Sequence, residues 1–217
     1  MKLEVISQIP WVELEEKIRR VPLKKVAADG TQIFVYSTAK IEPREFLSDE
    51  VNPTSFYALN KNLQTQRDLR AELLKKYNID TLKLENGVVI LNHDTQQEWT
   101  LIPPIIELTP RTIKYVAQHE ELSYDESVRV QIPIVNDGLH RVMLAKELQL
   151  PFKGVYISGA NAAFPFYAHP NSWEMVKFFD DIPKTTREKK LYSRADCYGL
   201  YRDFGVLGCG APRNLGK

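Results

Sequence analysis

Little in this chain could act as a covalent or metal staple. Cys197 and Cys209 are its two cysteines, which make no disulfide framework and no thiolate zinc site. Both are expected to be reduced thiols in a cytoplasmic protein. His93 has no second His or Cys at ligand spacing, so it is expected in a turn and not on a metal. No apolar run approaches about 18 residues, which excludes a conventional helical membrane span. The opening stretch MKLEVISQIPWVELEEK has no apolar core followed by a cleavage site, so a signal peptide is not expected. Repeats and low-complexity tracts are missing. So is an excess of one charge: a net charge of +1 gives no global basic field, and extensive non-specific nucleic-acid binding is not favoured.

What is present is an ordinary globular composition, 43% hydrophobic and 26% charged over 217 residues, ample for one large domain or two small ones. Helical and strand patterns alternate. Leu3, Val5 and Ile6 suggest a short strand. Pro10 then opens a helix whose Trp11, Leu14 and Ile18 share a face, and Pro22 ends it. TQIFVYS (31–37) reads as a strand, prolines break residues 43–53 into a loop, and Leu59 to Leu74 carry a helical period within Ser55–Tyr77. Its charges read as a solvated, salt-bridged face. Residues 81–84, 88–91 and 99–102 look like short strands, the first two joined by an Asn86-Gly87 hairpin turn. After Pro103-Pro104, Ile105–Leu108 is expected as an edge strand. Residues 111–118 fit a strand or a short helix, and the acidic 119–127 segment an exposed loop. The aromatic segment 164–170 could line a pocket or plug a loop. Trp173 begins a helix-like stretch, and the basic, aromatic tail from Lys184 reads as a packed amphipathic segment with a loose end.

The most informative stretch is IPIVNDGLHRVMLAKELQL, 132–150. A β-branched run leads into Asn136-Asp137-Gly138, a tight turn, and then into a helical period from Leu139 that stops before Pro151. His140 and Arg141 therefore sit at the positive end of a helix dipole, where cations are unfavourable. Two readings resolve the conflict. Either an anion binds between the free backbone amides and these side chains, or Arg141 pairs with a carboxylate and His140 is a half-buried, hydrogen-bonded residue.

Asp137-Gly138-Leu139-His140-Arg141 after a β-rich strand, with Ala145 on the helix, resembles the phosphate-binding motif of the ParB/sulfiredoxin superfamily. Pro103-Pro104-Ile105-Ile106-Glu107 and Lys153-Gly154-Val155-Tyr156-Ile157 resemble its flanking strands, and the likeness covers roughly residues 83–160. It implies an α+β fold: a small mixed sheet with flanking helices over 81–183, an N-terminal α/β extension over 1–80, and a C-terminal segment over 184–217. Leu139 stands where sulfiredoxins carry their reactive cysteine, so that activity is excluded. A chromosome-partition role is disfavoured by the balanced charge and the lack of a helix-turn-helix pattern after residue 160.

The resemblance then implies binding of ATP or another NTP with Mg²⁺, and ATP hydrolysis or phosphoryl transfer to a small-molecule acceptor. Asn136, Gly138, Leu139, His140 and Arg141 would hold the nucleotide. Glu107, Asp137, His140 and Arg141 would be catalytic, with Glu107 and Asp137 on the metal. The alternative is a DNA-binding or nuclease-like effector, or a binding module with protein partners in a bacterial defence-type system. Nuclease chemistry would want clustered carboxylates. Nucleic acid is not the favoured partner, and no membrane partner is expected.

Overall fold

Pro103 and Pro104, which cannot donate to a strand ladder, separate two sheets that share no strand. The computed structural model describes residues 2–119, 122–168, 170–185 and 199–209, with the side chains of 113–119 and 122–126 left aside. In chain order the elements are β1 (Leu3–Ile9), α1 (Trp11–Arg19), β2 (Pro22–Val26), β3 (Gln32–Phe34), β4 (Lys40–Phe46), β5 (Asn52–Pro53), β6 (Tyr57–Leu59) and α2 (Asn60–Tyr77). There follow β7 (Gly87–Asn92), β8 (Gln97–Leu101), β9 (Ile105–His119), β10 (Leu122–Asp137), α3 (Leu139–Leu148), β11 (Phe152–Ser158) and β12 (Lys177–Phe179). Mixed α+β architecture is what the sequence predicts.

The larger sheet has five strands in the order β4-β11-β9-β10-β5, and a three-stranded sheet runs β1-β7-β8. Both draw strands from either side of residue 80. Along β9 and β11 the side chains alternate between two cores. Ile105, Val155 and Ile157 pack with Leu14 and Ile18 of α1, while Ile106 and Phe152 pack with Val142 and Ala145 of α3. The sheet is thus a central layer covered on both faces, with α3 on one side.

Helix boundaries follow local chemistry. α2 buries Leu63, Leu69 and Leu73 and stops at Asn78, whose left-handed φ of 55° lets Ile79 N–H reach Leu73 O at 3.2 Å, a closing pattern for helix ends. Five consecutive residues of α3, Arg141–Ala145, are buried, so this helix is enclosed around its first turns instead of presenting one apolar stripe.

Several local expectations give way to tertiary demands. Within 31–37 only Gln32–Phe34 is a strand. Val35 and Tyr36 are wholly buried in a turn, so their apolar character serves the core. Residues 81–84 form a turn held by Asp80, which accepts from Leu82 N–H at 3.0 Å and from Arg70 at 2.7 and 2.8 Å. Asn86-Gly87 makes no hairpin, since β7 pairs with β1 and β8. β9 is interior, between β11 and β10, because the two prolines stop short of its paired residues. The expected acidic loop is mostly strand, with Leu122 already paired to His119. Residues 173–179 form a 3-10 turn and then β12, parallel to β6. Most of the tail, 186–198 and 210–217, lies outside the described residues.

Among the glycines of the described residues, Gly138 is the one packed closest to its neighbours. Its φ is +85°, and a Cβ there would stand 2.9 Å from Pro104 Cα, closer than packed atoms come. Gly138→Ala is expected to destabilise the chain by at least about 2 kcal/mol from the backbone and steric terms together. Differential scanning calorimetry should show a melting temperature lower by about 5–10 °C.

Candidate functional site

The turn between β10 and α3 is built by a bulge. Val135 pairs with Ile106 and Asp137 with Ile105, which leaves Asn136 as the extra residue, and such a bulge re-aims its side chain. Gly138 then caps α3: its carbonyl accepts from Arg141 N–H at 2.9 Å and Val142 N–H at 3.1 Å. The amides of Leu139 and His140 have no hydrogen-bond partner among the described residues, the usual state of the first donors of a helix.

The two side chains expected on the rim of this turn go to different elements. His140 Nε2 accepts from Leu59 N–H at 3.2 Å, where β6 runs into α2. Burial pushes its pKa down to about 4, so at neutral pH the ring is uncharged and its one proton is on Nδ1. Arg141 is 7% exposed and donates to Ile102 O, between β8 and β9. Burial lowers its pKa, opposed by Asp137 and the Cys209 sulfur. The same burial, with Asp137 nearby, pushes the Cys209 thiol up to about 12, leaving it protonated and unreactive. The electrostatic conflict at the helix start is therefore eased from within: the histidine is neutral, and the arginine donates to Ile102 O with the Asp137 charge near it.

Glu107 is likewise turned inward, 1% exposed. Its Oε2 accepts from Tyr36 OH at 2.6 Å, Asn136 Nδ2 at 2.9 Å and Arg202 Nε at 3.2 Å, and its Oε1 from Arg202 Nη2 at 2.8 Å. Asn136 Nδ2 also donates to Tyr36 OH at 2.7 Å. Burial, and then the Glu107 charge, raise the Tyr36 pKa well above 10, so it stays a donor. Burial works against the Arg202 charge, but Glu107 and Tyr36 outweigh it and raise its pKa. Glu107, expected on the metal, is thus held inside the fold by four donors, three on Oε2 and one on Oε1, with its charge matched by Arg202. Asn136 serves this cluster and not the turn. Among the described residues no group of three or more His, Cys, Asp or Glu side chains could hold a metal ion. Asp137 alone of the expected pair remains at the turn.

Arg202 is the residue that sequence reasoning missed. It lies in the tail, 1% exposed, with Nη1 donating to Leu200 O at 2.6 Å and Nη2 to Phe164 O at 3.0 Å. Phe166, 3% exposed, lies under its guanidinium at 5.1 Å. The 164–168 segment is thus a plug, not a pocket wall; His169 lies outside the described residues. A cavity of about 440 Å³ lined by Gln8, Leu74, Asn78, Lys83 and Glu85 lies at the end of α2, among none of these groups. His93 sits at the β7–β8 turn, 2.8 Å from Glu4 Oε2, as its spacing suggested.

Comparison with known proteins gives one finding. A family model described as ParB CE domain matches residues 13–177, which takes in most of α1, all five strands of the larger sheet, the β10–α3 turn and Tyr36, Glu107 and Asn136, but leaves out β1 and ends before Arg202. No curated protein and no solved structure matches.

Two outcomes test this geometry. Arg202→Met leaves a buried carboxylate unpaired and should cost about 3–5 kcal/mol in urea unfolding, while adding Glu107→Gln should recover part of that loss. His140 has a folded pKa below its unfolded one, so its contribution is complete above pH 6.5 and declines as pH falls from there toward about 4. A His140→Gln variant should therefore lose less stability than the parent between those pH values, read as the difference between their melting temperatures.

Proposed function

The chain belongs to the ParB CE domain family over residues 13–177, and on that premise we propose that it is a nucleotide-binding module whose phosphate contacts are the backbone amides of Leu139 and His140. The observation that carries this is the pair of partnerless amides at the half-exposed start of α3, where the helix dipole also favours negative charge. Gly138 supports it by bringing the chain onto Pro104 in a conformation open to few other residues.

Binding fits these residues better than phosphoryl transfer. Transfer chemistry relies on cations and carboxylates aimed at the moving group, and here Arg141 and Glu107 are committed to Ile102 O and Arg202. Asp137, half-exposed at the same turn, is the carboxylate left to meet Mg²⁺ that arrives with the nucleotide, an ion content with one or two carboxylates beside phosphate oxygens.

ATP, ADP or CTP with Mg²⁺ at about 100 times its dissociation constant should raise the melting temperature by about 5–10 °C. Leu139→Pro deletes one amide at the first helical position, where proline is tolerated, and should weaken binding about tenfold or more in isothermal titration. A chain indifferent to all three nucleotides defeats the proposal. Release of labelled phosphate at an enzymatic rate would restore the transfer chemistry in its place.

A further inference from the structure

β9 and β10 run well past the sheet that holds them. β11 pairs with β9 only at Ile105–Glu107, and β5 with β10 only at Ile134–Val135. From Leu108 to His119 and from Leu122 to Pro133 the two strands pair with each other, a ribbon about 40 Å long at roughly 3.3 Å per residue. Among the described residues no strand lies along the outer edge of β10 before Ile134. Ser127, Arg129 and Gln131 are exposed along it, and Val128 is 44% exposed. An edge running from Leu122 to Ile132 without a proline is a template for a further strand.

One pair of opposite charges on that edge is placed to meet its own copy. Setting β10 antiparallel to a second β10 about a two-fold axis at Ser127 places Asp125 of each copy opposite Arg129 of the other. By the same register Ser123 falls opposite Gln131, Leu122 opposite Ile132 and Tyr124 opposite Val130, like with like, while Glu126 falls opposite Val128 on either side of the axis. Opposite charges and apolar pairs facing each other across strands are stabilising, and like charges are not. Moving the axis to Glu126 opposes two carboxylates. Moving it to Val128 separates Asp125 from Arg129 and brings Pro133, which has no N–H, opposite Ser123. Of these three registers only the first sets Asp125 opposite Arg129.

We infer that the β10 edge is a self-association surface that joins two copies of this chain into a continuous four-stranded sheet, β9-β10-β10-β9. The contact is isologous, each copy using the same residues, and it is independent of nucleotide binding at the α3 turn.

Sedimentation velocity of the full chain across a wide concentration range should show a monomer–dimer equilibrium. Asp125→Arg and Arg129→Asp each set like charges opposite one another twice and should weaken the dimer about tenfold or more. The double exchange Asp125→Arg/Arg129→Asp should restore it. So should mixing the two single variants, because each then supplies the charge the other lacks, a rescue that misfolded chains could not give. A parent chain that stays monomeric throughout, whether or not its ribbon retards duplex DNA, overturns the inference. So does a dimer indifferent to both reversals, or a mixture that fails to associate.

Discussion

The structure depends on the neutralisation of one buried carboxylate. Glu107 sits on an interior strand of the main sheet, and an unpaired charge there would cost several kcal/mol in lost hydration. Arg202 removes that penalty only by crossing back from the far end of the described chain, 95 residues away. Tyr36 and Asn136 fill the acceptor positions that remain. Four segments are thereby fixed to each other: the turn after β3, the middle of the sheet, the bulge of β10 and the tail. Each partner is polar or charged, so the arrangement is specific in a way that apolar packing alone would not be.

The same bulge governs the turn that opens α3. Asn136 looks inward to Glu107, and two residues later Gly138 rests against Pro104. The acid cluster and the helix start are therefore positioned by one irregularity in one strand. Electrostatics around the helix follow from what is nearby: a neutral imidazole tied to the entry of α2, and a guanidinium folded back onto the β8–β9 connection. What the turn presents is the start of the helix backbone, which carries partial positive charge, beside the half-exposed Asp137.

Much of this was legible in the residues. The Ile132–Leu150 stretch announced strand, turn and helix, and the left-handed glycine falls where the motif placed it. Leu14, Ile18, Leu63, Leu69 and Leu73 lie on buried faces because a 3.6-residue period admits few other outcomes. The plainer reading of His140, half-buried and hydrogen-bonded, describes the structure better than the anion clamp. What stayed hidden is non-local. TQIFVYS has strand composition, yet Val35 and Tyr36 belong to a turn, since whether a β-prone run finds a partner depends on residues far away. Glu107 looked like a ligand because a carboxylate at the end of an apolar run shows no cation. Nothing local marks Arg202, among all the basic residues of the chain, as that cation.

The separation of that pair in the chain has a bearing on how the protein is made. Glu107 leaves the ribosome well before Arg202, and at about 5–20 residues per second the 95-residue interval lasts roughly 5–20 s. Over that time the hairpin of neighbouring strands can zip up, since such pairing takes microseconds, but the acid at its base has no counter-ion. Completion of the Glu107 cluster, not of the sheet, is thus timed by translation of the tail, and a nascent chain halted before Arg202 would hold the five strands with their buried acid lacking its cation.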